Sequence, residues 1–172
     1  GLLGEAFALF ADNDRAMEIV ADAMVELGEG EGTELAAKPT TEAEYMTLAR
    51  RKTGALFRAS AELGAVAGEA DAETVDAFGE YAERVGVAFQ IRDDVLDATA
   101  STADLGKPAG QDETMDRPSL IQITDLTPEE ADQRARKQSD LALEALDGVD
   151  LPETDAVAYL RDLAEFVVVR ER

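Results

Sequence analysis

Apolar residues recur with the spacing of an α-helix along almost the whole chain, and no segment shows the strict alternation that is typical of a β-strand. Two helix starts are marked by residues with the spacing of a capping box, Thr41 with Glu44 and Thr127 with Glu130. These patterns predict an all-α helical bundle. We expect residues 1–172 to form one all-α domain or a fragment of one.

The helix boundaries follow from the same periodicity, together with the positions of glycine and proline. Two stretches that contain several of these residues, 28–41 and 98–118, predict loops. Helices are predicted over residues 2–11, 15–27, 41–68, 71–97, 119–124, 127–148 and 153–169.

Composition excludes several kinds of site and several classes of partner. The chain has no cysteine and no histidine, so any metal should be a hard cation held by oxygen atoms. Its 38 acidic and 16 basic residues give a formal net charge of -22, which disfavours binding to nucleic acid or anionic lipid. No apolar run reaches about 18 residues and no signal peptide is visible, so we expect no membrane span and a cytoplasmic location.

Two adjacent sequence motifs are the strongest chemical signal in the chain: FQIRDDVLD, residues 89–97, and GKPAGQD, residues 106–112. At about 100° per residue, Asp93 falls on the apolar stripe of its helix, Asp97 lies about 40° to one side and Asp94 about 100° away. We therefore predict that Asp93 and Asp97 face inward one turn apart, where they can share a cation, and that Asp94 lies at the edge. The apolar stripe consists of Val75, Ala82, Gly86, Phe89 and Leu96.

Two of the four lysines of the chain stand in glycine-containing motifs, Lys52 in KTGAL and Lys107 in GKPAG. Helical spacing places Lys52 in the middle of an apolar face, where an unpaired ammonium is costly. One interpretation is that its side chain reaches out to water. The other is that this face lines a cavity for an anion, since lysine supplies a point charge for phosphate.

Together these motifs resemble the second aspartate-rich region of the trans-isoprenyl diphosphate synthases, also called polyprenyl synthases. The family pattern is FQ, then DDxxD, then GKxxGxD, and KTG at 52–54 is similar to an upstream motif of the family. The resemblance spans essentially the whole chain in order and spacing, and it corresponds to the C-terminal half of the family. The matching positions are Phe89, Gln90, Asp93, Asp94, Asp97, Gly106, Lys107, Gly110 and Asp112.

The resemblance implies the isoprenoid synthase fold, a bundle of helices around a deep cavity. It implies a Mg²⁺-dependent prenyltransferase that condenses isopentenyl diphosphate with an allylic diphosphate by ionisation, condensation and elimination. A short-chain product, geranylgeranyl or farnesyl diphosphate, and a homodimer are expected on the same basis.

The resemblance also implies roles for individual residues. Asp93, Asp94 and Asp97 correspond to Mg²⁺ ligands, and Lys52 and Lys107 correspond to residues that bind the allylic diphosphate. The other residues implied at the substrate site are Phe89 and Arg117, together with Thr53 and Gln90, which would place oxygen dipoles near the reacting cation.

The family carries two aspartate-rich motifs, and the first is absent from these residues. We expect it to precede Gly1, and we expect the 172 residues alone to be inactive because one motif cannot hold all the Mg²⁺ ions. A non-catalytic family member that acts as a binding or regulatory subunit is the main alternative. An acidic helical scaffold with a chance DDxxD is another, and a class I terpene cyclase fits the motifs less well.

The dispersed acidic residues and the scarcity of lysine predict that the protein is adapted to a salt-rich cytoplasm, as in a halophilic archaeon. Repulsion between surface carboxylates is screened when the Debye length falls to about 3 Å near 1 M salt. The free energy of unfolding should therefore rise between low and multimolar KCl, measured by urea titration at each salt concentration. Stability that does not change with KCl would contradict this prediction.

Overall fold

The computed structural model describes residues 2–104 and 119–169, and within these ranges the regular structure is helical, without a strand. This confirms the predicted all-α fold. One of the segments is a π-helical turn, in which the hydrogen bonds span one residue more than in an α-helix. The helices are α1 Leu2–Phe10, α2 Asp14–Ala36, α3 Glu42–Ala49, the π-turn Arg50–Gly54, α4 Ala55–Ala67, α5 Ala72–Asp104, α6 Leu120–Ile123, α7 Pro128–Asp147 and α8 Asp155–Val169.

Local capping signals determine where several helices begin. At the start of α7 the capping box is complete, since the Thr127 side chain accepts from the Glu130 N–H and the Glu130 carboxylate accepts from the Thr127 N–H. At the start of α3 the Thr41 hydroxyl accepts from the N–H of Glu44 at 3.2 Å, while the Glu44 carboxylate accepts from Thr40. Both predicted helix starts are confirmed.

The long helix α5 lies at the centre of the bundle and packs against both α4 and α7, while α8 covers α7 and part of α5. The largest fully buried side chains come from α5, α6 and α7. Full burial of each such side chain contributes about 1.5–3 kcal/mol. These core side chains are Val85, Ile91, Leu120 and Leu146.

No helix in the described part of the chain is long and apolar enough to cross a membrane.

The predicted loop over residues 28–41 is wrong in its first part, because α2 continues as a helix to Ala36. Gly30 is buried where α2 meets the π-turn, and a Cβ atom at this position would lie 3.2 Å from both the Arg51 Cβ and the Lys52 N. The glycine therefore permits close packing between helices and does not end one. The predicted end of α5 is also too early, because the helix extends to Asp104.

The segment from Thr41 to Gly68 is helical throughout its interior, as predicted, but it contains a π-turn between α3 and α4. Directly after the π-turn, the N–H of Ala55 donates to the carbonyl of Arg50. Gly54 in this turn meets Gly86 of α5, where a Cβ added to Gly86 would lie 3.2 Å from the Gly54 Cα. Two facing glycines thus let the π-turn approach α5 closely.

This close approach predicts opposite effects for two glycine-to-alanine substitutions. Gly86→Ala should lower the free energy of unfolding by about 1–3 kcal/mol, because the new methyl group would meet backbone and the ring of Phe57, whose Cγ lies 3.1 Å from the added Cβ. The control Gly64→Ala has no atom within 4 Å of the added Cβ and should stabilise α4 by about 0.5–1 kcal/mol. Urea unfolding at constant KCl measures both, and a stabilising Gly86→Ala would contradict the packing described here.

Candidate active site

A buried carboxylate, that of Asp94 on α5, is the centre of a hydrogen-bond network that joins three segments of the chain. Its Oδ2 accepts from the hydroxyl of Tyr45 in α3 at 2.6 Å and from the N–H of Leu120 in α6 at 2.9 Å. Its Oδ1 accepts from the side-chain amide of Gln90 at 3.4 Å. All three partners are donors, so the network is suited to an ionised carboxylate.

Burial and hydrogen bonding act on Asp94 in opposite directions. Burial raises the pKa of Asp94, the donors Tyr45, Leu120 and Gln90 lower it, and the charge of Asp93 raises it again, so that the net pKa lies above its ordinary value. Burial, followed by the charge of Asp94, raises the pKa of Tyr45 as well, which keeps the phenol protonated. Tyr45 is therefore a stable donor to this carboxylate.

The network extends from Asp94 to the π-turn through Gln90. The hydroxyl of Thr53 donates to Gln90 Oε1 at 3.1 Å, while Gln90 Nε2 donates to Asp94. Both ends of the Gln90 amide thus have a partner, and its orientation is fixed. Thr53 and Gln90, which the sequence predicted to share a site, do lie in contact.

The predicted orientation of the aspartates is wrong. Asp94 is the buried one, at 9% exposure, whereas Asp93 is half-buried and Asp97 is exposed. The predicted stripe holds for the first half of α5, where Val75 and Ala82 are buried. The second half also contacts α3 and α6, and its buried residues lie on roughly the opposite side of the helix: Val87, Ala88, Ile91 and Val95.

The carboxylate of Asp94 accepts three hydrogen bonds from the protein, which leaves about one of its four lone-pair sites for another ligand, and its assignment as a metal ligand stays a prediction. Asp93 and Asp97 are one helical turn apart on the less buried side of α5. Among the described residues, no three carboxylates lie close enough together to hold a metal ion. Two carboxylates fit a Mg²⁺ that takes its remaining oxygen ligands from substrate and water.

The ammonium group of Lys52 in the π-turn is paired with two carboxylates of α2. Its Nζ lies 3.3 Å from Glu31 Oε1 and also contacts Glu34. Burial lowers the pKa of Lys52, but the hydrogen bonds and charges of Glu34 and Glu31 raise it overall, so the ammonium stays protonated. The lysine is half-buried, as its place on the apolar face implies, and its positive charge is paired with carboxylates of the same chain.

The structure describes one of the three remaining predicted substrate residues. Phe89 is half-buried against the core, with its ring centroid 6.2 Å from that of Phe57. Lys107 and Arg117 lie outside the described residues. No sequence signal indicated the role of Tyr45, because the carboxylate that its hydroxyl contacts lies 49 residues away.

A known family model and the curated relatives of this chain point to the same protein family. The family model described as Polyprenyl synthetase matches residues 2–149. A short chain isoprenyl diphosphate synthase of Methanocaldococcus jannaschii is 39% identical over 138 residues, which cover 77% of this chain and 42% of the relative. A geranylgeranyl diphosphate synthase of Methanosarcina mazei is 36% identical over 112 residues, or 63% of this chain and 35% of the relative.

Solved structures show the same similarity in three dimensions. A decaprenyl diphosphate synthase from Rhodobacter capsulatus has a TM-score of 0.80 at 30% identity, over 98% of this chain and 64% of that one. A geranylgeranyl pyrophosphate synthetase from Pyrococcus horikoshii has a TM-score of 0.74 at 32% identity, over 91% of this chain and 59% of that one. The chain thus spans less than half the length of these curated relatives and about three fifths of these solved structures.

The corrected orientation of the aspartates predicts unequal costs for their removal. Asp94→Ala should lower the free energy of unfolding by about 2 kcal/mol, because it leaves the Tyr45 hydroxyl and the Leu120 N–H buried without an acceptor. Asp76→Ala, an exposed aspartate on the same helix, should change it by less than about 0.5 kcal/mol. Urea unfolding of both variants is the measurement, and equal effects would show that Asp94 is not the centre of the network.

Proposed function

The chain belongs to the polyprenyl synthetase family, and from this membership we propose that the protein is a prenyltransferase that condenses isopentenyl diphosphate with an allylic diphosphate. The names of its relatives, short chain isoprenyl and geranylgeranyl diphosphate synthase, support a short-chain product. We further propose that the protein is a homodimer in the cytoplasm. We also propose that this chain corresponds to the C-terminal half of the family's fold.

One observation carries this proposal: two motifs far apart in sequence are joined by hydrogen bonds. Thr53 of KTG in the π-turn contacts Gln90 of the FQ pair in α5, 37 residues later, and Gln90 contacts Asp94 of DDxxD. A scaffold with a chance DDxxD has no need for this arrangement. π-helical turns occur frequently at functional sites, which agrees with the position of KTG.

The carboxylates that would chiefly hold a divalent cation are those of Asp93 and Asp97, one helical turn apart on the less buried side of α5. Oxygen donors are what Mg²⁺ prefers, and the absence of histidine and cysteine from the chain leaves no competing ligand type. When bound, Mg²⁺ would supply Lewis-acid stabilisation of the diphosphate that leaves the allylic substrate. Asp94, whose carboxylate accepts three hydrogen bonds from the protein, would hold the motif in place and support the ion through its remaining lone pair.

The other residues act on charge that develops during the reaction. Thr53 and Gln90 would direct oxygen atoms towards the allylic cation, which is electrostatic stabilisation without a covalent step. Lys52 would bind diphosphate oxygens, and to do so its ammonium would exchange the carboxylates of Glu31 and Glu34 for the substrate. Phe89, Lys107 and Arg117 keep their proposed places at the substrate site.

A chimera tests the function directly. These 172 residues would replace the matched segment of the Methanocaldococcus jannaschii relative, and the product of isopentenyl and allylic diphosphates would be measured with Mg²⁺. We expect turnover by the chimera, and a loss of at least about 100-fold in kcat/KM in Asp93→Ala. The exposed Asp76→Ala is the matched control and should retain activity.

The same assay separates the proposal from its alternatives. The 172 residues assayed alone should show no turnover, since they carry one aspartate-rich motif. A stable chimera without activity would favour the binding or regulatory subunit. A chimera whose activity survives Asp93→Ala would refute the assignment of the metal site.

A further inference from the structure

Tyr45 lies outside every motif of the proposed reaction, yet its hydroxyl group is connected to the two residues that the reaction would use. We propose that Tyr45 is a positioning residue: through Asp94 it fixes the orientation of the Gln90 amide, and so the direction of the Thr53 hydroxyl. The catalytic importance of the Gln90 orientation rests on the proposed function. The hydrogen bonds from which the positioning is inferred do not depend on that function.

The orientation of the Gln90 amide matters for chemistry because its two ends are opposite in polarity. The carbonyl oxygen stabilises a nearby cation, and the amide nitrogen, with its two protons, destabilises it. In the structure, Nε2 points to Asp94 and Oε1 points to Thr53. A flipped amide would set its oxygen against the Asp94 carboxylate, so the carboxylate selects one orientation.

Asp94 can select that orientation only if its own carboxylate cannot rotate. Two donors, the Tyr45 hydroxyl at 2.6 Å and the Leu120 N–H at 2.9 Å, hold Oδ2. This leaves Oδ1 as the atom that faces Gln90. Without the Tyr45 hydroxyl, Oδ2 would keep one donor and could turn towards Gln90, which would loosen the amide.

Tyr45 is itself held firmly, as a positioning residue must be. Its side chain is 2% exposed and belongs to the main hydrophobic core. The helix that carries it, α3, is capped by Thr41 four residues before Tyr45 and leads directly into the π-turn with Thr53. A rigid phenol, the carboxylate and the π-turn are thus built into one packed unit.

The chain contains a second tyrosine that serves as a matched control. Tyr81 is 3% exposed, and its hydroxyl donates a hydrogen bond of 2.6 Å to the carbonyl of Leu160. This bond has the same length as that of Tyr45 but joins α5 to α8, away from Asp94. Removing either hydroxyl costs one hydrogen bond, buried for Tyr45 and part-buried for Tyr81, and only Tyr45 should affect Gln90.

The first measurement uses the 172-residue chain and does not require activity. The side-chain amide signals of Gln90 in a ¹⁵N–¹H spectrum would be assigned from their loss in Gln90→Met. We expect Tyr45→Phe to shift these signals and to speed their exchange with water, and Tyr81→Phe to leave them unchanged. Urea midpoints of the two variants should fall by similar amounts, which shows that both remain folded.

The second measurement uses the chimera described above and separates positioning from substrate binding. Tyr45→Phe should lower kcat about tenfold, the worth of one hydrogen bond to a charged group, and leave KM unchanged within about twofold. Tyr81→Phe should leave both constants unchanged. In a Gln90→Met background, Tyr45→Phe should have no further effect on kcat, because the residue through which it acts is gone.

The outcomes that overturn the inference are specific. Gln90 signals that do not move in Tyr45→Phe, or that move equally in Tyr81→Phe, would contradict it. So would independent effects of Tyr45→Phe and Gln90→Met on kcat. An unsubstituted chimera without activity would count against the proposed function, and the amide signals alone would then decide whether Tyr45 positions Gln90.

Discussion

The burial of one carboxylate, that of Asp94, is the constraint on which the arrangement of this site depends. A carboxylate removed from water is tolerated only where several donors converge on it. Here the donors come from three places: Tyr45 in α3, Gln90 one turn earlier in α5, and the first residue of α6, Leu120. Moving any of the three helices away would expose the Asp94 carboxylate to solvent or remove one of its donors, so the three helices stabilise one another. Because the π-turn follows α3 directly, the same constraint fixes where Thr53 stands.

Glycine provides the second condition, because these donors reach Asp94 only if the helices approach closely. Gly54 and Gly86 face each other between the π-turn and α5, and Gly30 lets α2 lie against the π-turn on its other side. The π-turn is therefore enclosed by backbone on both sides, and its side chains have few directions left. Thr53 is directed to α5, and Lys52 is directed to the carboxylates of α2.

Much of this fold could be predicted from sequence because its signals are local. The caps at Thr41 and Thr127 and the helical period depend on neighbours within a few residues, and they gave the right helices. The glycines at 28–32 were misread as a loop because the role of Gly30 depends on Arg51, which is distant in sequence. The predicted phase of α5 failed for a similar reason: its second half also contacts α3 and α6, which are distant in sequence, so one apolar stripe cannot describe both halves. The KTG and FQ motifs contain two residues, Thr53 and Gln90, that do lie in contact, but the hydrogen bond from Tyr45 could not be read from any local pattern.

The aspartate motif shows why counting acidic residues says little about a site in so acidic a chain. Successive residues of a helix point about 100° apart, so Asp93 and Asp94 cannot share an environment. Asp94 is enclosed by donors, whereas Asp93 is half-buried and Asp97 is exposed, on the side of α5 where the proposed cation would bind. The two environments are linked, since the carboxylate that is fixed in the core determines the rotation of α5 and therefore the direction of its neighbours. The proposed metal-binding face can thus be positioned by Asp94, the most deeply buried member of the motif.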